Sequence, residues 1–458
     1  MKKIRTRSAM VLLLTLAFFA GLFYHTVNLV FHAKEWTLMP INQHLTAAGD
    51  LEYGGSIYDK NGVTLAYSSD GMRYYNDDEQ IRKACLHVVG DNSTNMINSI
   101  QNLYRSELTG YDFVFALGMP KTLRKGKDIT LTIDTDLQKA ALEALGSYKG
   151  AVVFYNYQTG AVVCMVSTPT YDPLNVPEDL ETNDDYEGAY LNRVLSGAYS
   201  PGSTFKLVTA AAGLENMTDV EARNYHCTAK DKIGDKDITC EFAMGDVNLK
   251  TALTYSCNCY FGHLAIDLGK KKMTEQAEKM GFNNSIRFDG METVKSVYHV
   301  SDANENQFAW SGVGQYTTLE TPMNMAMISA AIANEGVPVM PYVVENISDS
   351  DFQHKRSYGK RMMSEETAEK LCDMMDYTVE NNYGKWAFSD TLDVCAKTGT
   401  AEIDDYGIEA HAWITGFCKD ESCPLAFSVI VEHGGSGFST AIPVASKVLG
   451  VAAQKNYQ

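Results

Sequence analysis

Positive charge is scarce in this chain of 458 residues, which has 39 lysines and arginines against 57 acidic residues and a formal net charge of −18. Because binding to polyphosphate requires a basic surface, this balance argues against a nucleic-acid partner. Internal repeats and low-complexity segments are also lacking. The ten cysteines include no set of four ligands at zinc-finger spacing, so we predict neither a metal site nor a cofactor.

The length of the chain predicts two or three domains, and a hydrophobic fraction of 45% can furnish a substantial core. One long apolar segment runs from about residue 9 to residue 31, after four basic residues within positions 2–7. About 20 apolar residues span a bilayer, and a basic flank stays in the cytoplasm. We therefore expect a single-pass anchor in the cell membrane with a cytoplasmic N-terminus. A cleaved signal peptide, suggested by residues 17–20, is the alternative.

A serine and a lysine three positions apart form the first chemical motif. Ser203 follows a turn-forming Ser-Pro-Gly stretch and precedes an apolar, Ala-rich run that predicts a buried helix. At the first turn of this helix, Ser203 would lie in the positive end of the helix dipole. Lys206 lies one turn along the same face, and burial would favour its neutral form, which is a base. An ordinary N-cap serine beside a lysine with an exposed amine has the same spacing.

Two further motifs follow at domain-scale separations. Ser256 and Asn258 flank one residue in a polar turn between two predicted helices, where both side chains can face one cleft, although both are also common turn residues. Lys397, Thr398 and Gly399 lie in a β-type run, and the glycine permits close approach of a ligand backbone. Each motif alone is commonplace, but the ordered trio is the signature of penicillin-binding proteins and serine β-lactamases.

With these motifs, the chain resembles a class B penicillin-binding protein, a membrane-anchored peptidoglycan transpeptidase. The resemblance extends to the segments 55–66, 128–138, 149–167 and 314–326, although Tyr316 stands where the family usually has glycine.

The resemblance implies an α+β fold in which helices cover an antiparallel sheet. It divides the chain into a tail and transmembrane anchor (1–35), a small membrane-proximal pedestal-like region (36–125) and a transpeptidase domain (128–458). A basic junction at 121–127 would separate the last two.

The resemblance also implies roles for the motif residues in acyl transfer. Ser203 would be the nucleophile, Lys206 its general base, and Ser256 the proton relay to the leaving group. Asn258 would bind the substrate amide and hold Lys206.

The third motif would bind the substrate. Lys397, Thr398, Gly399 and Thr400 would receive the terminal carboxylate of a stem peptide ending in D-Ala-D-Ala, or that of a β-lactam. The backbone N–H groups of Ser203 and Thr400 would stabilise the oxyanion. The family also implies a partner glycosyltransferase of the shape, elongation, division and sporulation (SEDS) family, because no such domain fits between the anchor and the catalytic domain.

Other acceptors for the acyl group leave three alternatives. A D,D-carboxypeptidase would use water, and the motifs do not distinguish it from a transpeptidase. A serine β-lactamase would need a dedicated glutamate, but the chain has no convincing Glu-x-x-Leu-Asn box beyond the second motif. A non-enzymatic β-lactam sensor would need cytoplasmic signalling machinery, for which we expect no room before the anchor.

Cysteines suggest two disulfides in an exported domain. Cys227 and Cys240 bracket a polar loop, and Cys418 and Cys423 bracket a predicted hairpin. Two more cysteines lie beside the presumed active site, and three in apolar or helical contexts are most simply buried thiols; these five are Cys257, Cys259, Cys164, Cys372 and Cys395.

Overall fold

The computed structural model describes residues 2–37, 50–110, 126–388, 391–403 and 409–457. The helices in these ranges are α1 Lys2–Thr37, α2 Glu79–Val89, α3 Ile100–Leu103, α4 Arg105–Thr109, α5 Thr135–Leu145, α6 Arg193–Ser196, α7 Lys206–Asn216, α8 Leu249–Thr254, α9 Asn258–Lys279, α10 Glu305–Ser311, α11 Pro322–Ala333, α12 Glu365–Thr378 and α13 Ile442–Ala452. The strands are β1 Ile57–Tyr58, β2 Thr64–Ser69, β3 Met72–Tyr75, β4 Ile129–Leu131, β5 Gly150–Asn156, β6 Val162–Thr168, β7 Tyr225–Cys227, β8 Lys230–Ile233, β9 Lys236–Thr239, β10 Gly245–Val247, β11 Arg287–Phe288, β12 Met291–Glu292, β13 Val344–Ile347, β14 Val394–Ala401, β15 His411–Cys418 and β16 Leu425–Val431.

The central sheet has five strands in the order β14-β15-β16-β5-β6, and every neighbouring pair is antiparallel. Every residue of β5, β6 and β16 is buried, so both faces of the sheet are covered. In β5, Val153 and Tyr155 belong to one hydrophobic core, whereas Val152 and Phe154 belong to another. Successive side chains of a strand point to opposite faces, so the sheet lies between two layers.

Helices form both layers. α11 packs on one face against β15, β16 and β5, while α5 and α13 pack against each other and the opposite face. The predicted α+β fold, with an antiparallel sheet covered by helices, is confirmed.

A second five-stranded sheet has the order β13-β4-β1-β2-β3, in which β1 and β4 are parallel. It contains strands from both the predicted pedestal-like region and the predicted transpeptidase domain. The predicted boundary between these two regions therefore falls within one hydrogen-bonded sheet. Residues 121–125 of the predicted basic junction lie outside the described residues, as do 38–49 and 111–120 of the pedestal-like region. The domain boundaries remain predictions.

At the N-terminus, α1 is longer than the predicted apolar segment. Within it, Lys3–Asn28 is long and apolar enough to cross a membrane, a property that a signal sequence shares. The described residues contain one such helix.

The two expected disulfides are not formed, because all ten cysteines are free thiols. Cys227 and Cys240 are close, with their Sγ atoms 3.8 Å apart, but Cys240 also contacts two other sulfurs. Cys240 Sγ is therefore in contact with three other sulfurs, of which the expected disulfide partner, Cys227 Sγ, is only one. Cys164, Cys395, Cys418 and Cys423 are buried thiols, whereas Cys372, also expected to be buried, is half-buried.

Candidate active site

Ser203 lies in a short 3-10 turn, Gly202–Phe205, that leads directly into α7. Its neighbours in this turn are buried, whereas Ser203 is half-buried at the cleft. Gly202 has a φ of +53°, and a Cβ there would lie 2.6 Å from the carbonyl oxygen of Thr400. Only glycine accommodates both the left-handed backbone and this close approach. The turn that carries the nucleophile candidate therefore packs closely against β14.

Lys206 is completely buried, and its Nζ lies 2.9 Å from Ser203 Oγ. The same Nζ donates to Ser256 O at 2.6 Å and Asn258 Oδ1 at 2.6 Å, and lies 3.0 Å from Ser256 Oγ. Burial lowers the pKa of Lys206 to about 8, because the charged amine loses its hydration. About a tenth of the Lys206 amine is therefore neutral at pH 7, and the neutral form is the one that a general base requires.

The turn between α8 and α9 presents Ser256 and Asn258. α8 begins with a capping box between Asn248 and Thr251, and the chain then reverses through Ser256, which has a φ of +62°. A left-handed backbone at a serine is uncommon and clusters at functional sites. Asn258 also donates from Nδ2 to Thr239 O at 2.7 Å, so β9 helps to orient its side chain.

Lys397 is 1% exposed and reaches the same serine from the opposite side. Its Nζ lies 3.2 Å from Ser256 Oγ and donates to Thr398 O at 2.9 Å. Burial, and then the charge of Lys206, hold the pKa of Lys397 well below its usual value. The charge of Lys206 therefore disfavours protonation of Lys397, and Ser256 Oγ lies within 3.2 Å of both amines.

The remaining predicted residues follow along β14. A Cβ on Gly399 would lie 2.7 Å from Pro201 O, so glycine permits β14 to pack against the loop before Ser203. Thr398 is half-buried, whereas Thr400 is exposed and accepts a hydrogen bond from Gly437 N at 3.3 Å. All eight predicted site residues thus lie around one cleft, connected through Ser203, Ser256 and the two lysines.

Sequence reasoning missed Tyr383. Its hydroxyl accepts a hydrogen bond from Thr398 N at 2.9 Å and lies 2.9 Å from Thr398 Oγ1. Tyr383 follows α12 in a helical turn, Val379–Tyr383, and no motif marks it. Trp413 on β15 donates from Nε1 to Ser200 O at 3.0 Å, which connects the sheet to the loop before the nucleophile.

Comparisons with known proteins agree with this geometry. Residues 150–450 match the penicillin binding protein transpeptidase domain. The peptidoglycan D,D-transpeptidase PbpA of Mycolicibacterium smegmatis is 29% identical over 361 residues, covering 72% of this chain and 73% of that protein.

Two solved structures are similar over most of the chain. The D,D-transpeptidase domain of a peptidoglycan glycosyltransferase from Eggerthella lenta has a TM-score of 0.77 and 29% identity, covering 88% of this chain and 98% of that one. Penicillin-binding protein A from M. tuberculosis, in a penicillin G acyl-enzyme complex, has a TM-score of 0.75 and 26% identity, with coverages of 88% and 98%.

Proposed function

The chain belongs to the penicillin-binding protein transpeptidase family, and on this premise we propose that Ser203 carries the acyl-enzyme of its reaction. The protein is a peptidoglycan D,D-transpeptidase, a serine acyltransferase that β-lactams inhibit. One observation carries the assignment to Ser203: its Oγ lies 2.9 Å from the completely buried amine of Lys206, whose pKa burial lowers to about 8.

In acylation, neutral Lys206 accepts the proton of Ser203 as its oxygen attacks the carbonyl of the penultimate D-Ala. The oxyanion of the tetrahedral intermediate is held by the backbone N–H groups of Ser203 and Thr400. Loss of one such donor costs about 3 to 4 kcal/mol. The C–N bond then breaks as Ser256 delivers its proton to the departing D-Ala nitrogen, and protonated Lys206, 3.0 Å from Ser256 Oγ, returns a proton to Ser256.

Substrate binding uses the opposite side of the cleft. Lys397, Thr398 and Thr400 receive the terminal carboxylate beside Gly399. Asn258 binds the substrate amide. An amine of a neighbouring stem peptide then attacks the ester carbonyl and gives its proton to Lys206. As the cross-link forms and the ester C–O bond breaks, Lys206 returns that proton to Ser203 Oγ, 2.9 Å away.

The organisation of the whole chain is part of the proposal. α1 anchors it in the cell membrane with the N-terminus in the cytoplasm, residues 36–125 form a pedestal-like region, and 128–458 form the catalytic domain outside the cytoplasm. A SEDS-family glycosyltransferase polymerises the glycan that this domain cross-links. Glycan polymerisation from lipid-linked disaccharide by the purified chain alone would contradict the partner assignment.

Acylation by a fluorescent penicillin tests the site. The wild-type protein should label and release the drug over hours, whereas Ser203→Ala should not label while retaining its melting temperature. Labelling of Ser203→Ala at the wild-type rate would contradict the nucleophile. Rapid release of hydrolysed drug would instead indicate a β-lactamase.

A further inference from the structure

Four cysteines from three segments bring their sulfurs together behind the second motif. Cys227 ends β7, Cys240 follows β9, and Cys257 and Cys259 lie on either side of Asn258. Cys240 Sγ lies 3.8 Å from Cys227 Sγ, 3.8 Å from Cys257 Sγ and 3.5 Å from Cys259 Sγ. The sulfurs of Cys227, Cys240 and Cys257 are all within 4.8 Å of one another, a set that does not include Cys259, whose Sγ also donates to Ile238 O at 3.5 Å. Three of the four residues are buried and Cys240 is half-buried.

The distances among Cys227, Cys240 and Cys257 fit one small ion, and Cys259 Sγ, 3.5 Å from Cys240 Sγ, would turn from Ile238 O to become the fourth ligand. In a tetrahedral site with Zn–S bonds of about 2.3 Å, neighbouring sulfurs are separated by roughly 3.8 Å. A disulfide requires about 2.05 Å and involves two sulfurs, whereas Cys240 meets three at nearly equal distances. The arrangement is therefore that of a ligand set rather than of a pair.

Backbone donors already surround these sulfurs. Cys240 Sγ accepts from Asn258 N at 3.2 Å and from Cys259 N at 3.4 Å, and Cys257 Sγ accepts from Tyr260 N at 3.4 Å. Such outer hydrogen bonds orient ligands and stabilise negative sulfur. All three come from the first turn of α9, where the helix dipole is also positive.

We propose that Cys227, Cys240, Cys257 and Cys259 bind one Zn²⁺ as a structural site. Binding forms four Zn–S bonds and releases one proton from each of the four thiols, so the site has a net charge of −2. Four thiolates surround the ion and leave no open position for water, as in structural rather than catalytic zinc sites. All-sulfur tetrahedral coordination selects Zn²⁺ or iron, and Zn²⁺ needs no redox partner.

The ion would hold the second motif in place, an effect that rests on the proposed function. Cys257 and Cys259 are the immediate neighbours of Asn258, and Cys240 follows Thr239, whose carbonyl accepts from Asn258 Nδ2 at 2.7 Å. Zn²⁺ would thus connect the residue after β9 to the turn that presents Ser256 and Asn258 to Lys206. These cysteines are positioning residues, because they act through the motif.

Metal analysis of the full chain, purified in detergent without chelators, tests the site itself. Elemental analysis should give one zinc per chain, and Cys240→Ser should lose it. The matched control Cys164→Ser replaces a buried thiol of the other hydrophobic core and should keep one zinc. Ser203→Ala should also keep zinc while losing acylation, which separates failure of this inference from failure of the proposed function.

Two measurements on the wild-type chain avoid dependence on the folding of Cys240→Ser. A mercurial that reacts with thiols should release one zinc per chain to a chromogenic chelator. Protein loaded with Co²⁺ should show the intense near-ultraviolet bands of thiolate-to-cobalt charge transfer. Zinc below one tenth per chain, iron in its place, or a Cys227–Cys240 disulfide in peptide mapping would overturn the proposal.

The positioning role has its own readout. Removal of zinc by a strong chelator should slow acylation by fluorescent penicillin at least tenfold, and added ZnCl₂ should restore the rate. Far-ultraviolet circular dichroism should stay unchanged, which excludes global unfolding. An unchanged acylation rate in zinc-free protein would overturn the positioning role.

Discussion

The two sides of the active-site cleft are built in different ways. The strand wall, residues 397–400 of β14, lies in a ladder that pairs every residue of β14 with β15, from Val394↔Cys418 to Ala401↔His411. The turn wall, residues 255–258, joins two helices and contains Ser256 in a left-handed conformation. Backbone hydrogen bonds therefore position the strand wall, whereas side chains hold much of the turn wall.

Backbone hydrogen bonds from residues 255–257 connect the turn wall to α8, and side chains supply its other contacts. Lys206 Nζ donates to Ser256 O and to Asn258 Oδ1, and Asn258 Nδ2 donates to Thr239 O. Just before the turn wall, Asn382 Nδ2 donates to Thr254 O at 2.8 Å. A single substitution here removes a specific support, whereas one on the strand wall leaves the ladder in place. The same loss of a side-chain contact should thus cost more activity on the turn wall.

The largest effect should come from Lys206→Met, which removes the base and two supports of the turn wall together. We expect the rate of acylation by penicillin to fall by at least about 10³-fold, within the range for general-base catalysis. The control is Lys397→Met, which removes one contact to Ser256 Oγ and leaves Lys206 in place. Labelling by a fluorescent penicillin, quenched at a series of times, measures both rates. Equal losses in the two variants would contradict the difference between the walls.

The rate of acylation should also depend on pH through Lys206, whose amine lies beside Ser203. Burial disfavours charged Lys206 and lowers its pKa to about 8, so below that pH the protonated form dominates and cannot accept a proton. We expect the acylation rate to rise about tenfold per pH unit below 8 and to level off above it, so that pH 6 is about 100-fold slower than the plateau. A flat profile between pH 6 and 8 would exclude Lys206 as the base.

A matched pair of substitutions compares the walls directly. Asn258→Ala removes the contacts to Lys206 and to Thr239, and we expect acylation to slow by about 30-fold, or roughly 2 kcal/mol for two hydrogen bonds to buried or charged groups. Thr398→Val removes a hydroxyl but keeps its backbone in the ladder, and we expect only about a fivefold loss. The ratio of the second-order rate constants for acylation of the two variants measures the difference between the walls. A larger loss in Thr398→Val would reverse the comparison.

The strand wall and the nucleophile could be predicted from the sequence, because their residues are close along the chain and their local structure follows from composition. Ser203 and Lys206 share a helical face by spacing, and the run around Lys397 is of strand type. Contacts between distant segments could not be predicted. Tyr383 reaches Thr398, and Thr239 reaches Asn258, only through the path of the folded chain.

Position 316 shows a second limit of prediction from the sequence. Tyr316 replaces the glycine usual in the family, and the structure keeps a φ of +67° at this exposed tyrosine. This left-handed conformation favours glycine, and a tyrosine adopts it at a cost. Neither this strain nor the meeting of four cysteines from three segments can be read from local spacing, because both depend on how loops are held by the rest of the fold.

The smallest effect should come from Tyr383→Phe, which removes the side-chain acceptor of Thr398 N in the strand wall. Thr398 N then loses its acceptor beside a buried ring, at a cost of about 1 to 2 kcal/mol in the free energy of unfolding. Since the ladder with β15 still holds β14, we expect the acylation constant to fall no more than about threefold. Thermal melting and fluorescent labelling of the same preparation separate the two quantities. A tenfold loss of acylation without a change in melting temperature would show that the Tyr383 hydroxyl acts on the substrate, and that the strand wall also depends on side chains.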